Sequence, residues 1–394
     1  MEIIKKYSFW AGLLTILVLG NCKKPYNPGA ITAPNSYFVV EAVINNGYDS
    51  TIVRLSKTVN ISASTKTSGV DNCEVKVEGE EGASFPLVPQ GNGYYALTQL
   101  NLDVTKKYRL HITTGDGNEY ASDYVEVKRT PPVDSVGFAV KNNQLQIYVN
   151  THDATNSSRY YRWSYAETWR FHARYVSSFM VDQTKKEVVF RTPAEQSYYC
   201  FAGSKSSTIV IGSSAKLSQD VIFQQPITTI APESEKIGMR YTIQVKQYTL
   251  TKEAYQFWEN LKKNTEQLGS IFDAQPSQLT GNIHNLKNMA EPVIGYISIA
   301  NVQTKRVFID NADLPKQWLT AYPYNCGKPD SALFSNPKTG SNDVLSMIIN
   351  GGAIPVDQIT SRVSVIGYTY STRECADCRI RGNVQTPPFW IEKK

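Results

Sequence analysis

Apolar and polar residues alternate with a period of two along most of the chain, the pattern of strands with one buried face. Residues 37–43 (YFVVEAV) open the first series, and 51–55 pair with them across Asn45-Asn46-Gly47, a hairpin signal. Residues 73–78 (CEVKVE), 94–97, 107–113 and 119–127 follow, with Asp116-Gly117 turning between the last two. Short strands at this spacing, split by Gly, Asn and Asp turns, predict a β-sandwich over 33–128. Arg129-Thr130-Pro131-Pro132 reads as a stiff linker. A second series starts at Val133 with DSVGFAV, QLQIYVN and RYYRWSYAETWRF, and His152 to Ser158 forms a polar turn before the third. Residues 187–190, 208–211, 221–223, 240–248, 293–300 and 306–308 continue it. The fold class is mainly β: two immunoglobulin/fibronectin-like sandwiches, the second spanning 133–394.

One stretch breaks the alternation. From Thr251 onward Ala254, Phe257, Trp258 and Leu261 recur at i, i+3, i+4 and i+7, an apolar stripe that predicts a helix over 252–268. Thr251 is its N-cap, Leu250 and Tyr255 stand where a hydrophobic staple would place them, Glu259 and Lys263 pair on the wet face, and Gly269 supplies the stop. Trp258 is expected in the core. Residues 271–285 read as a loop. From Asp310 the chain is Pro-rich and irregular, with one short helix near 344–349.

The N-terminus changes the picture. Lys5 and Lys6 precede a short apolar run, 9–19, which ends at Cys22. The run is too short to span a membrane and has the layout of a cleaved export signal over 1–21. A cysteine directly after such a run resembles a bacterial lipobox, in which the thiol is acylated, although Asn21 stands where a small residue is usual. Several acyl chains, palmitate among them, would anchor the protein stably, with 22–32 as a tether. The anchor predicts an outer-membrane lipoprotein, at the cell surface more than the periplasmic face, although no acidic cluster follows Cys22. The formal net charge of +6 is mild, and no Lys/Arg block exceeds a pair, so nucleic acid is not an expected partner.

Export also assigns the cysteines. Beyond Cys22 there are Cys73, Cys200, Cys326, Cys375 and Cys378. In an oxidising compartment, Cys200, Cys326, Cys375 and Cys378 are expected to form two bridges stapling the C-terminal region to the second sandwich, in any of three pairings. Cys73 is left as a small buried strand residue. A redox reading of Cys375-Ala376-Asp377-Cys378 lacks its βαβ context, and a zinc reading lacks a nearby second ligand pair.

Catalytic patterns are missing: no HExxH, GxSxG, Walker A, EF-hand or GxGxxG occurs. Glu167, beside Trp163 and Trp169, is the best candidate for a sugar-facing acid, with His172 as a second polar group; the plainer reading is a strand-edge charge paired with Arg162 or Arg170. Trp163, Trp169, Glu167 and His284 are the candidate partner or ligand contacts, with Trp258 a third stacking ring. No catalytic residue, metal or cofactor is expected.

The lipobox, YFVVEAVINNGYDSTIVRLSKT, THDATNSSRYYRWSYAETWRF, VKQYTLTKEAYQFWENLKKNTEQLGSIFDAQPSQLTGNIHN, EPVIGYISIANVQTKRVFI and the closing CADCR resemble the domain of unknown function 4249 family, lipoproteins of the Bacteroidota. The likeness covers nearly the whole mature chain. Members tend to be encoded beside TonB-dependent outer-membrane transporters, and no activity is assigned to them. The resemblance therefore implies a non-enzymatic accessory of a β-barrel transporter in nutrient uptake. A carbohydrate- or peptide-binding surface module, and a scaffold in an envelope-assembly complex, are the alternatives.

Overall fold

The computed structural model describes residues 36–392 except 48, 60–68 and 267–280. The protein is mainly β. In the first sandwich the strand Phe38–Asn45 pairs antiparallel with Thr51–Lys57, as the alternation predicts. Tyr94–Leu97 and Val88–Gly91 extend that leaf. Lys107–Thr113 carries the other leaf, flanked by Glu74–Gly79 and Glu119–Ser122. Their inward residues, Val40, Ile44, Val53 and Leu55 against Val77, Leu110 and Ile112, form one core. Cys73 falls just outside its strand and is half-buried with a free thiol, which burial pushes up.

The first sandwich is not finished by residues 33–128. After the helix the chain returns to it. Ile283–Asn285 pairs antiparallel with Glu119–Ser122, and Val293–Ile294 runs parallel to Phe38–Asn45. Ile299–Ala300 lies parallel between Phe38–Asn45 and Val125–Lys128, joining the two leaves along one edge. So 293–300 does not belong to the second sandwich, and 283–285 is strand rather than loop. The cause is burial: Ile283, Val293, Ile297 and Ile299 complete the first core. Irregular backbone here finds its partners in side-chain amides. Asn282 is bonded both ways to Ile297, accepting from its N–H at 2.8 Å and donating to its carbonyl at 3.1 Å. Asn45 accepts from Val302 N–H at 3.0 Å, and Asn301 accepts from Thr130 N–H at 2.7 Å.

In the second sandwich Val133–Lys141, Gln144–Asp153 and Asp220–Ile230 form one leaf. The other is built on Tyr160–His172, between Arg240–Thr249 on one side and Tyr199–Lys205 and Val210–Ser213 on the other. Gln303–Asp310 adds its edge. Leu145, Ile147 and Val149 face Tyr161, Trp163, Tyr241 and Ile243 across the core. The linker is held in place: Thr130 is buried, and buried Gln247 donates to Pro131 O at 2.9 Å. Helix α1, Lys252–Glu266, lies where its stripe predicts, and Thr251 Oγ1 accepts from Ala254 N–H at 3.1 Å. Its Glu259–Lys263 pair forms at 3.2 Å. The predicted end at 268 and the stop at Gly269 lie outside the described residues.

The C-terminal third departs from the irregular region expected. Asp330–Leu333, Val365–Ser371 and Ile354–Thr360 form a three-stranded sheet. The strand expected at 187–190 in the second sandwich instead forms a hairpin, Phe179–Asp182/Glu187–Phe190, which lends Phe179 to this unit's own small core with Ala332, Ile348 and Tyr368. Prolines obscured the sheet; Pro355 is tolerated near the start of a strand with one free edge. The short helix at Val344–Ile349 is present, as a π-helix. Cys200–Cys378 ties the region to the second sandwich, and Cys326–Cys375 closes it on itself.

Two predictions follow from these contacts. Gly295 has φ +149°, and a Cβ there would stand 2.3 Å from Val40 O. Gly295→Ala should cost about 2 kcal/mol or more, read as a lower urea midpoint, because the returning segment must lift off the first sandwich. Asp377, between the bridged Cys375 and Cys378, is buried, which opposes its charge. Two Arg379 hydrogen bonds at 2.8 Å outweigh that and hold its carboxyl below the usual range. A depressed folded-state value contributes stability above the unfolded value of ~3.9 and loses it as pH falls through the folded value. Thermal melts should therefore show an acid limb below about pH 4 that Asp377→Asn flattens.

Candidate functional site

The strand Tyr160–His172 sends alternate side chains to opposite faces. Trp163, Glu167 and Trp169 share the inward parity. Trp163 is 1 % exposed, and its Nε1 donates to Gln247 Oε1 at 2.8 Å, so it is not available to stack on a ligand. Glu167 is buried and pairs with neither Arg162 nor Arg170. Its partners are Lys236 Nζ at 2.6 Å, Ser204 Oγ at 2.7 Å and Tyr241 Oη at 2.8 Å. Burial and the Glu167 charge push the Tyr241 phenol far up. Lys236 also sits 5.2 Å from the Trp169 ring centre, and Arg170 pairs with Glu392 at 3.3 Å. The strand-edge reading fails because position 167 points into the sandwich, where only an internal cation can neutralise it.

The other named residues lie apart. His172 has the opposite parity to Glu167 and rests on Tyr198. His284 sits on the first sandwich, 3.2 Å from Asp123. Cys22 lies outside the described residues. Trp163, Trp169, Glu167 and His284 therefore do not converge on one site.

A groove of about 420 Å³ opens instead at the seam of the two sandwiches. One wall is the outer face of Phe38–Asn45 with Ile52; the others are helix α1 through Phe257, Trp258 and Leu261, and the returning segment at Ile294 and Tyr296. Its floor is the outward face of the second sandwich, carrying Arg162, Lys246 and Tyr248. Trp258 is not in the core as expected but half-buried, because it covers a cation: the Arg162 guanidinium lies 3.7 Å from its ring centre. Lys246 is paired with Asp49 at 3.2 Å and Glu41 with Arg54 at 3.2 Å. Among the described residues Arg162 has no such partner. Its Nε is buried without an acceptor, and burial lowers its affinity for the proton. The sequence shows only one trace of this: a charge at an outward position of an aromatic strand, with an amphipathic helix to spare.

Among the described residues no three His, Cys, Asp or Glu side chains gather as metal ligands. The class this fold and groove define is a mainly β protein of two interlocked sandwiches with a ligand-sized recess at the seam. The chain belongs to the family described as "Domain of unknown function (DUF4249)", whose sequence model matches residues 23–306. That span holds both sandwiches and ends within Gln303–Asp310, before the C-terminal sheet. No curated protein matches the chain. Among solved structures it is similar to a chitinase from Bacillus thuringiensis at 10% identity and a TM-score of 0.15, over 50% of this chain and 26% of that one. The chain thus spans about a quarter of the chitinase's length, and a likeness this slight bears on neither fold nor activity.

The Glu167 cluster gives a testable expectation. Lys236→Met leaves a buried carboxylate with hydroxyl donors alone and should cost about 3 kcal/mol in urea unfolding. Adding Glu167→Gln should recover more than half of that loss, because the uncompensated charge goes with it. Equal stability of Lys236→Met and the parent would show that Glu167 is not held as an ion pair.

Proposed function

We propose that this protein is a lipid-anchored accessory of the outer membrane that works by binding and not by bond-breaking, in association with a TonB-dependent β-barrel transporter in nutrient uptake. The seam groove is the observation that carries the reading. Its lining is apolar side chains, two ion pairs and one uncompensated guanidinium, the chemistry of a holding site. Neither Glu167 nor His172 lines it, and the two carboxylates that do, Glu41 and Asp49, are held in ion pairs. Support for the anchor comes from Cys22 placed after a signal-like run, and for the transporter from the family's association with such genes.

A second reading, a surface module for a small molecule, glycan or peptide, is favoured by the same groove. Its aromatic contacts are then Trp258, Tyr248 and Tyr296, and not the Trp163/Trp169 pair.

The test is recovery of partners. Tagged protein captured from solubilised outer membranes should bring down a β-barrel transporter, and Cys22→Ser should move the protein out of the membrane fraction and lose that partner. Capture that repeatedly recovers no barrel protein sinks the transporter reading, and Cys22→Ser remaining in the membrane fraction sinks the anchor.

A further inference from the structure

Arg162 is the least compensated charge of the groove. Every other charged side chain lining it has a counter-ion: Lys246 has Asp49, and Glu41 has Arg54. A guanidinium taken out of water without an anion is costly, and stacking on an indole offsets only part of that. The Trp258 ring, 3.7 Å away, occupies one face of the guanidinium plane. With Nε buried, what remains for recognition is the terminal Nη1/Nη2 edge of the plane, whose N–H groups form a fork that matches a carboxylate. Because the surplus is a single positive charge, a monoanion completes the site and a dianion overfills it. Apart from the ion-paired groups, Asn45 and Ser50, the lining is mostly apolar and includes Ile52, 52 % exposed, with Phe257, Leu261 and Ile294. A volume of about 420 Å³ falls in the range of small-molecule sites, ~300–1,000 Å³.

We infer that the groove binds a small amphiphilic monocarboxylate, its carboxylate on the edge of Arg162 and its apolar body along Ile52, Phe257, Leu261 and Ile294. The inference rests on the groove being a holding site and is independent of the transporter. It also gives Trp258 a role: the ring fixes the guanidinium plane so that the fork is set before the ligand arrives, which limits the ordering cost of binding.

Decanoate is a suitable probe, with 1-decanol as its uncharged counterpart, titrated calorimetrically into the full chain carrying Cys22→Ser in detergent-free buffer. Decanoate should bind one per chain and quench Trp258 fluorescence, and decanol should bind at least ~10-fold more weakly. Arg162→Met should weaken decanoate ~10-fold or more and leave decanol unchanged. Should Arg162→Met fail to fold, Ile52→Glu replaces it: the position is half-exposed, and a carboxylate there should repel the ligand. Equal binding of decanoate and decanol, or decanoate binding indifferent to both substitutions, overturns the carboxylate assignment and leaves the groove as a holding site. Binding of neither probe overturns the assignment and removes the groove from the proposed function as well.

Discussion

The architecture depends on one constraint: the stretch 281–302 packs onto the first sandwich, burying Ile283, Val293, Ile297 and Ile299 in its core, although the strands before and after it, Arg240–Thr249 and Gln303–Asp310, belong to the second. A segment this short cannot form a regular sheet edge, so its backbone groups would be left without partners in a dry core. Three asparagine amides supply them. Asn282 bonds both polar groups of Ile297, Asn45 receives Val302, and Asn301 receives Thr130 from the linker. The last two bonds tie the two chain crossings to the first sandwich and to each other, and Gln247 ties the linker to the second, so the linker is a fixed joint. Helix α1 follows Arg240–Thr249 and precedes the return, which places it over the seam.

The strand Tyr160–His172 shows how the molecule separates stability from binding. Three of its inward polar groups are answered, while Trp169 Nε1 is buried without an acceptor. Tyr161 donates to Asp220 at 2.6 Å, Trp163 to Gln247, and Glu167 is closed by Lys236, Tyr241 and Ser204. Buried polar groups of a folded protein are ordinarily paired in this way, and such networks specify a single packing. The outward face carries Arg162, shielded and stacked but unanswered. Of the strand's Arg and Glu side chains, Arg162 is the one with no counter-ion among the described residues, since Glu167 has Lys236 and Arg170 has Glu392. An acidic side chain among aromatic residues attracts notice as a catalyst, yet here it is a satisfied structural ion pair.

What could be read from the sequence was what is encoded locally. Alternation located most strands of both sandwiches, because a half-buried strand must repeat every two residues, but it missed Val88–Gly91 and Tyr199–Lys205. The cap at Thr251 and the stripe at Ala254, Phe257, Trp258 and Leu261 located the helix for the same kind of reason. Export chemistry gave two bridges among the right four cysteines, and geometry chose the pairing. Partnership was not legible. Val293–Ile294 and Ile299–Ala300 are too short to have a period, and nothing in them says that Phe38–Asn45, some 250 residues earlier, is the neighbour. The C-terminal sheet hid behind prolines and behind a core shared with the distant hairpin Phe179–Asp182/Glu187–Phe190. Arg162 hid for a related reason: a missing counter-ion is a property of the assembled surface, and only the folded seam reveals that no carboxylate among the described residues pairs with it.

The groove and the joint are therefore one feature. Its walls come from three stretches remote in sequence, near 39–52, 246–261 and 294–302, and each is anchored on the asparagine-clasped seam. Two sandwiches on a loose linker would vary the distance between Ile52 and Leu261 with every hinge motion, and no recess would persist between them. Clamping the seam holds the recess open at fixed width, which is what allows a single guanidinium to act as a selective contact instead of an unpaired defect. A ligand there would bind only the closed seam, so its binding free energy would add directly to the stability of the joint. The packing of 281–302 onto the first sandwich thus pre-organises a site of which that stretch forms one wall, and the seam is where binding and stability meet in this protein.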